Sequence, residues 1–456
     1  MTLNAYLRSL RGKKLVVLGI GVSNLPLVRL LLQAGLDVTA CDKREREQLP
    51  EELSELERMG AGLKLGEHYL DDLSGDVIFR SPGIRPDIPA IRALLERGAV
   101  LTSEMEAFFE VCPCPILAVT GSDGKTTTTT IIAELLRHAG HRVWIGGNIG
   151  QPLLSQAGQM RETDFAVVEL SSFQLMTMQK SADVAVVTNL APNHLDMHRD
   201  MAEYVASKEN VYLHQNAGGK LVVNMDNGYT DGFAAKARGR VEKFSRKGKP
   251  EQGCFLDGDT VYYHGAPVLT RKDIRLPGLH NVENYMAAIC ATSEFVQPAD
   301  VLAVAREFAG VEHRIEFVRE LHGVKIYNDS IASSPSRTIA GLHAFDQKLI
   351  VIAGGYDKHI PFDDLGEELC SHCKLLVLCG ATAGMIEKAV RQAPDYAPGN
   401  PEILTFDDFR AAVEAAVAHG KPGDVVTLSP ACAAFDQFKN FMVRGKTFKK
   451  IVMELE

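Results

Sequence analysis

Short runs of consecutive apolar residues recur along the chain, each ending in Gly, Asn, Asp or Ser. They cover residues 14–19, 37–42, 76–81, 115–121 and 164–171, then 183–190, 220–226, 348–354, 374–380 and 424–429. Polar alternation is missing from them, which fits strands buried on both faces of parallel sheets. Stretches of helical spacing alternate with these runs, at 24–34, 126–139, 201–214, 282–294, 382–391 and 406–418. Such alternation predicts layered α/β domains.

Two breaks divide the pattern. Cys112-Pro113-Cys114-Pro115 is a rigid, helix-breaking stretch after a predicted helix around 104–110. The second break falls near Gly310, after a predicted helix at 300–308 and before a new run of strands. Between them, a section rich in Lys, Gly and Pro at 244–253 precedes 254–263, where Asp257-Gly258-Asp259 predicts a hairpin turn. That antiparallel piece is expected to decorate a middle domain. No repeat or low-complexity tract is visible, so three domains are expected, at 1–110, 111–310 and 311–456.

Composition narrows the class. At 456 residues the chain is too long for one ordinary domain, and 46% hydrophobic with 23% charged residues is a globular balance. The net charge of −9 disfavours nucleic acid or an anionic membrane as partner. No run reaches the roughly 18 apolar residues of a membrane span, and residues 1–12 lack a signal-peptide hydrophobic stretch. The nine Cys are scattered, which reads as reduced thiols. A soluble, cytoplasmic protein with small-molecule substrates is expected.

The candidate chemistry sits just after the strands. The run 14–19 leads into Gly19-Ile20-Gly21-Val22-Ser23-Asn24 and a helix, and Asp42 ends the next strand. Glycines permit a tight turn close to a phosphate, and an acid at that place commonly bonds ribose hydroxyls. NAD or another nucleotide would fit, although Asn24 replaces the third glycine of the dinucleotide pattern. A later turn, Ser81-Pro82-Gly83-Ile84, would reach the same sheet edge.

In the middle domain, the run 115–120 is followed by Gly121-Ser122-Asp123-Gly124-Lys125-Thr126. Backbone amides of such a loop surround phosphate oxygens, Lys125 adds a point charge, and the Thr126 hydroxyl suits Mg²⁺. The general phosphate-loop pattern wants glycine at position 119, which is Val119, so the loop is a short variant. Thr127 to Thr130 read as the solvated first turn of a helix. Glu169 ends another strand and is followed by Ser171, Ser172 and Gln174. Asn193, His194 and Asp196 lie beyond a further one. Carboxylate and hydroxyl oxygens suit Mg²⁺, with imidazole a less usual partner.

With these residues in view, the chain resembles the ATP-dependent Mur ligases nearly end to end. Residues 121–127 are similar to the family's G-T-N-G-K-T-T, 146–150 to its G-G-N-I-G, and 169–175 to its E-L-S-S-F-Q-L. Ser429-Pro430-Ala431-Cys432-Ala433-Ala434-Phe435-Asp436-Gln437-Phe438, continuing to Gly445, resembles the signature of members that add D-glutamate. The implied fold is an N-terminal Rossmann-like domain, a central P-loop ATPase-like parallel sheet with a small antiparallel addition, and a C-terminal Rossmann-like α/β domain.

The resemblance implies ATP-dependent amide synthesis on a peptidoglycan precursor by a monomer. The L-alanyl carboxylate of UDP-N-acetylmuramoyl-L-alanine would take the γ-phosphate, and D-glutamate would displace it. ATP would meet Gly121, Ser122, Asp123, Gly124, Lys125, Thr126 and Thr127, with Asn281, Asn284, Arg314 and Asp329. The UDP-sugar would meet Val22, Ser23, Asp42, Gly83, Asn148, Ser171, Gln174 and His194, which replaces the NAD reading. Lys358, Phe435 and Phe441 would hold D-glutamate, although aromatics at such places also serve as core. Thr126 and Glu169 would serve one Mg²⁺, and His194 with Lys208 a second, Lys208 as a CO₂-derived carbamate. Lys125, His194 and Lys208 would be the catalytic groups. Without the resemblance, Lys208 reads as an exposed helical lysine.

Several positions depart from the family pattern. Asp123 replaces an Asn, Ile331 stands where many relatives have Lys, and Ala434 where a Ser contacts the D-glutamate side chain. Cys370-Ser371-His372-Cys373 has a zinc-like spacing, but no second paired motif accompanies it. Three rivals remain: a ligase for another amino acid, folylpolyglutamate synthase (whose relatives lack the N-terminal nucleotide domain), and a dinucleotide-binding sensor.

Overall fold

The computed structural model describes every residue except 194–196 and 359. Two compact units are present: Met1–Asp273 with Glu283–Val304, and Ile274–Val282 with Ala305–Glu456. The first unit carries two sheets and the second unit one, giving the expected three α/β layers among the described residues.

The first sheet has five parallel strands in the order Gly62–Leu65, Asp37–Asp42, Lys14–Leu18, Val77–Arg80, Val100–Thr102. Along Lys14–Leu18, Leu15 and Val17 enter one apolar cluster while Val16 and Leu18 enter another. Both faces are therefore buried, which is why the run lacks polar alternation. Gly19 follows Lys14–Leu18, Asp42 ends its parallel neighbour and Ser81 follows Val77–Arg80, so these three turns lie at one edge of the sheet.

The middle sheet runs Ala266–Thr270, Thr260–Tyr263, Gly253–Asp257, Arg240–Ser245, Lys220–Asn224, Val184–Val187, Ile116–Thr120, Phe165–Glu169, Val143–Gly147. Its first two pairings are antiparallel and the others parallel. The predicted hairpin is present, with Asp257 opposite Thr260. Ile116–Thr120 lies between Phe165–Glu169 and Val184–Val187, so their C-terminal ends bring the phosphate loop, Glu169 and Thr188 together.

In the second unit the order is Glu316–Leu321, Val324–Asn328, Val425–Leu428, Leu349–Ala353, Cys373–Cys379, Glu402–Phe406, antiparallel only at the first pair. Leu349 and Val351 face one core, Ile350 and Ile352 the other. Helix starts follow side-chain caps: Asp200, Asp408 and Asn440 each accept from the backbone N–H three residues on, at 2.8–2.9 Å. The predicted helix 201–214 stops at Glu209. Strands such as Val143–Gly147 and helices such as Pro335–Leu342, Asp363–His372 and Phe441–Glu454 were not anticipated.

Candidate active site

The phosphate loop is held by the strand beside it. The Ser122 N–H donates to Asn189 O at 2.8 Å and the Asp123 N–H to Asn189 Oδ1 at 2.9 Å. Thr188 Oγ1 donates to Asp123 O at 2.6 Å, and Ser122 Oγ pairs with Tyr204 OH at 2.9 Å. Gly121 has φ +146°, and a Cβ there would collide with Thr188 Oγ1, so the close approach requires glycine. Helix Lys125–His138 then starts with its amides toward the loop, the usual place for an anion. Lys125 Nζ donates to Ser122 O at 2.7 Å. Asp123, the departure from the family pattern, is exposed.

The threonines after the loop correct the sequence reading. Thr128 and Thr129 are fully buried rather than solvated, and Thr128 Oγ1 donates to Asn284 Oδ1 at 3.1 Å. This brings Asn284 to the first turn of the loop helix. Asn281 donates from Nδ2 to Pro277 O at 2.6 Å within the second unit.

Glu169 is buried, and both its oxygens accept from neutral groups. Thr126 Oγ1 donates to Oε2 at 2.7 Å, and Asn148 Nδ2 to Oε1 at 2.8 Å. A carboxylate paired with a hydroxyl is a hard oxygen donor set that fits Mg²⁺. Just beyond, Ser171 and Gln174 cap each other, the Gln174 N–H donating to Ser171 Oγ and the Ser171 N–H to Gln174 Oε1. His194 lies outside the described residues.

Lys208 overturns the expectation of an exposed lysine. It is 2% exposed, and Nζ donates to Gly121 O at 2.8 Å and Thr120 Oγ1 at 3.1 Å. Burial first, then the nearby Lys125 charge, hold its pKa well below that of a free lysine, against the pull of Glu169 and Asp123. A lysine so placed gives up its proton more readily than an exposed one. The residues fit a carbamate.

At the first sheet, Asp42 is buried and spends its oxygens on the Ile20 N–H at 2.7 Å and on Arg44. Burial alone would raise its pKa, but the Arg44 and Ile20 hydrogen bonds outweigh it and hold it at about 2. Asn24, in place of the third glycine, donates to Leu18 O and Gly19 O. Val22 and Gly83 are exposed, and Ser23 is half-buried.

In the second unit Asp329 and Ser429 leave adjacent strands, and Ser429 Oγ donates to Asp329 Oδ2 at 2.9 Å. Burial raises the Asp329 pKa to about 7 despite that bond. The Ile315 N–H, next to Arg314, donates to Asp329 Oδ1 at 3.3 Å. Lys358 is exposed, with Nζ 3.3 Å from Ser333 O. Phe435 is 62% exposed and edge-on to Tyr356, so it is not core. Phe441 is half-buried against His313.

Two buried arginines escaped the sequence reading. Arg80 donates to Ile84 O at 2.6 Å and to Phe173 O at 2.9 Å, tying the Ser81–Ile84 turn to the segment after Glu169. Arg444 donates to Ser330 O, Ser330 Oγ, Cys432 O and Ala433 O at 3.0–3.2 Å. The position of Arg80 at a strand end, among the predicted site loops, was the available signal. For Arg444 it was the end of the C-terminal block.

Comparison with known proteins agrees with this geometry. Residues 13–103 match the Mur ligase MurD-like N-terminal domain, 119–292 the Mur ligase middle domain, and 313–432 the Mur ligase glutamate ligase domain. The chain is 50% identical over 455 residues to the UDP-N-acetylmuramoylalanine--D-glutamate ligase of Clostridium novyi, covering 100% of this chain and 99% of the relative. It is also 50% identical over 461 residues to the ligase of the same name from Acetivibrio thermocellus, covering 100% and 99%. Among solved structures, the UDP-N-acetylmuramate-alanine ligase MurC of Thermotoga maritima aligns over 97% of this chain and 99% of its own, with TM-score 0.58 and 18% identity. At that identity the likeness concerns the fold.

Proposed function

We propose that this chain, which belongs to the Mur ligase family, is an ATP-dependent ligase that joins D-glutamate to UDP-N-acetylmuramoyl-L-alanine. The observation that carries this reading is full-length identity of 50% to relatives bearing that activity in their name. The Thr126–Glu169 pair beside the buried Lys208 supplies matching chemistry. Among the described residues no helix is long and apolar enough to cross a membrane. The enzyme would work in the cytoplasm, as a monomer, on a peptidoglycan precursor.

The substrate carboxylate takes the γ-phosphoryl group of ATP, and the amine of D-glutamate then displaces phosphate to form the amide. Charge builds on oxygens in both steps, so positioned donors and cations dominate the rate enhancement. Lys125 and the loop Gly121–Thr127 bind the β/γ phosphates, and Asn284 orders the helix start through Thr128. Asn281, Arg314 and Asp329 contact the rest of ATP. Val22, Ser23, Asp42 and Gly83 bind the uridine diphosphate, while Asn148, Ser171, Gln174 and His194 orient the muramoyl part. Lys358 pairs with a D-glutamate carboxylate beside Phe435 and Phe441. Thr126 and Glu169 would hold one Mg²⁺, and His194 with carbamylated Lys208 a second, supplying charge neutralisation at the phosphates. Residues 1–110, 111–310 and 311–456 would carry sugar nucleotide, ATP and amino acid respectively.

Phosphate release from ATP with UDP-N-acetylmuramoyl-L-alanine across a panel of amino acids tests the assignment. D-glutamate should drive turnover, with L-glutamate and L-alanine near background. Equal turnover with L-alanine would remove it.

A further inference from the structure

We propose that His343, Glu368 and His372 form a binding site for a divalent transition-metal ion of the zinc, cobalt and nickel class. His343 ends the helix Pro335–Leu342, while Glu368 and His372 stand one turn apart on Asp363–His372. Glu368 Oε2 lies 2.7 Å from His343 Nε2 and 3.1 Å from His372 Nδ1. The two imidazoles are stacked, with centroids 4.6 Å apart at 26°. One ligand atom from each residue can be chosen so that all three lie within 4.8 Å of one another.

Two imidazole nitrogens and one carboxylate oxygen suit borderline metals, whereas Mg²⁺ prefers oxygen alone. His343 is half exposed and the other two side chains are about a third exposed, which leaves an entry path and room for water as the remaining ligands. The cysteines of Cys370-Ser371-His372-Cys373 are not part of this set. The Cys370 thiol donates to Val390 O and the Cys373 thiol to Leu375 O, and both are buried. His372 is thus the one member of that zinc-like spacing that reaches a ligand cluster.

The cluster is separate from the proposed ligase chemistry. His372 immediately precedes the strand Cys373–Cys379, and His343 comes shortly before Leu349–Ala353. Lys358 follows the opposite end of Leu349–Ala353, and Phe435 follows the same end of its parallel neighbour Val425–Leu428.

The test uses the full chain without an affinity tag, stripped by chelator and kept in excess Mg²⁺ so that the phosphate-side oxygen ligands are occupied. Zn²⁺ binding is read by competition with a chromophoric chelator, and Co²⁺ by its visible absorption. A saturable Zn²⁺ site is expected in the wild type. His343→Ala, His372→Ala and Glu368→Gln should each weaken it by at least about tenfold. Zn²⁺ should also raise the unfolding temperature of the wild type and not of the three variants. Ligase turnover without Zn²⁺ should be unchanged in all of them, which separates this site from the ligase reading. Wild-type zinc affinity in the His343→Ala and His372→Ala proteins, or no saturable binding in the wild type, would overturn the proposal.

Discussion

Lys208 Nζ donates to the carbonyl oxygen of Gly121 at 2.8 Å, tying the helix Met201–Glu209 to the first residue of the phosphate loop. The lysine is buried, and its two hydrogen-bond partners, Gly121 O and Thr120 Oγ1, are neutral. Such an amine gives up its proton more readily than an exposed one.

Replacing Lys208 should therefore act twice. Lys208→Ala is expected to lose most ligase turnover. It should also lower stability by about 1–3 kcal/mol, because the Gly121 carbonyl loses its buried donor. Acetate or formate should restore part of the rate in proportion to its concentration, since the missing group is then anionic. Steady-state rates and urea unfolding measure the two effects. Full activity of Lys208→Ala in bicarbonate-depleted buffer would show that no carbamate is needed.

Arg444 provides a second test, in the other unit. Its guanidinium is buried and donates to Ser330, Cys432 and Ala433, so it fixes the segment after Asp329, assigned to ATP, against the block before Phe435, assigned to D-glutamate. Burial lowers its pKa to about 10, which leaves it charged at neutral pH. A lysine keeps the charge but cannot match the planar fork. Arg444→Lys should cost about 2–4 kcal/mol of stability and raise KM for D-glutamate more than KM for ATP, since Cys432 and Ala433 lie in the D-glutamate block. Equal rises in both constants would make its role purely structural.

The strands were legible because burial on both faces removes polar residues, as Leu15 to Leu18 illustrate. Lys208 was not legible. Its helix carries Glu203, Ser207, Lys208 and Glu209, a pattern that looks solvated, yet the last three are buried. Ser207 donates to Glu203 O, and Glu209 accepts from Lys236 and Tyr212. The distant partners, Lys236 for Glu209 and Thr120 with Gly121 for Lys208, lie 27 to 88 residues away, and no local period announces them. Thr128 was misread for the same reason, since its partner Asn284 is 156 residues away. Helix Phe441–Glu454 hid behind Gly445, an unfavourable helix residue. The structure supplies the reason for it: a Cβ there would collide with His313 Nδ1.

Lys358→Ala should raise KM for D-glutamate by about tenfold or more, with KM for ATP changed little. The lost contact belongs to the amino-acid carboxylate, and a charge-assisted bond contributes about 1.5–3 kcal/mol. Lys358 is exposed and its one described hydrogen bond, to Ser333 O, is 3.3 Å long, so the fold should not suffer. An unaltered KM for D-glutamate would move the carboxylate site elsewhere.

Glu104 gives the pH dependence. It is buried at the start of the helix Glu104–Val111, and Oε1 accepts from the Leu154 N–H at 2.9 Å. Burial raises its pKa to about 7, against the lowering by the Leu154 and Leu153 amides. In the unfolded chain the same group titrates near 4.3. The folded state therefore holds the proton more tightly, and the benefit is full below about pH 4 and lost as pH rises to about 7. Glu104→Gln keeps a carbonyl oxygen for Leu154 and never ionises. Its stability relative to wild type should grow from about pH 5 to pH 8, reaching about 1–3 kcal/mol. Thermal unfolding of both proteins across that range measures the difference. Parallel curves would mean that Glu104 stays ionised in the fold, with the Leu154 and Leu153 amides outweighing its burial.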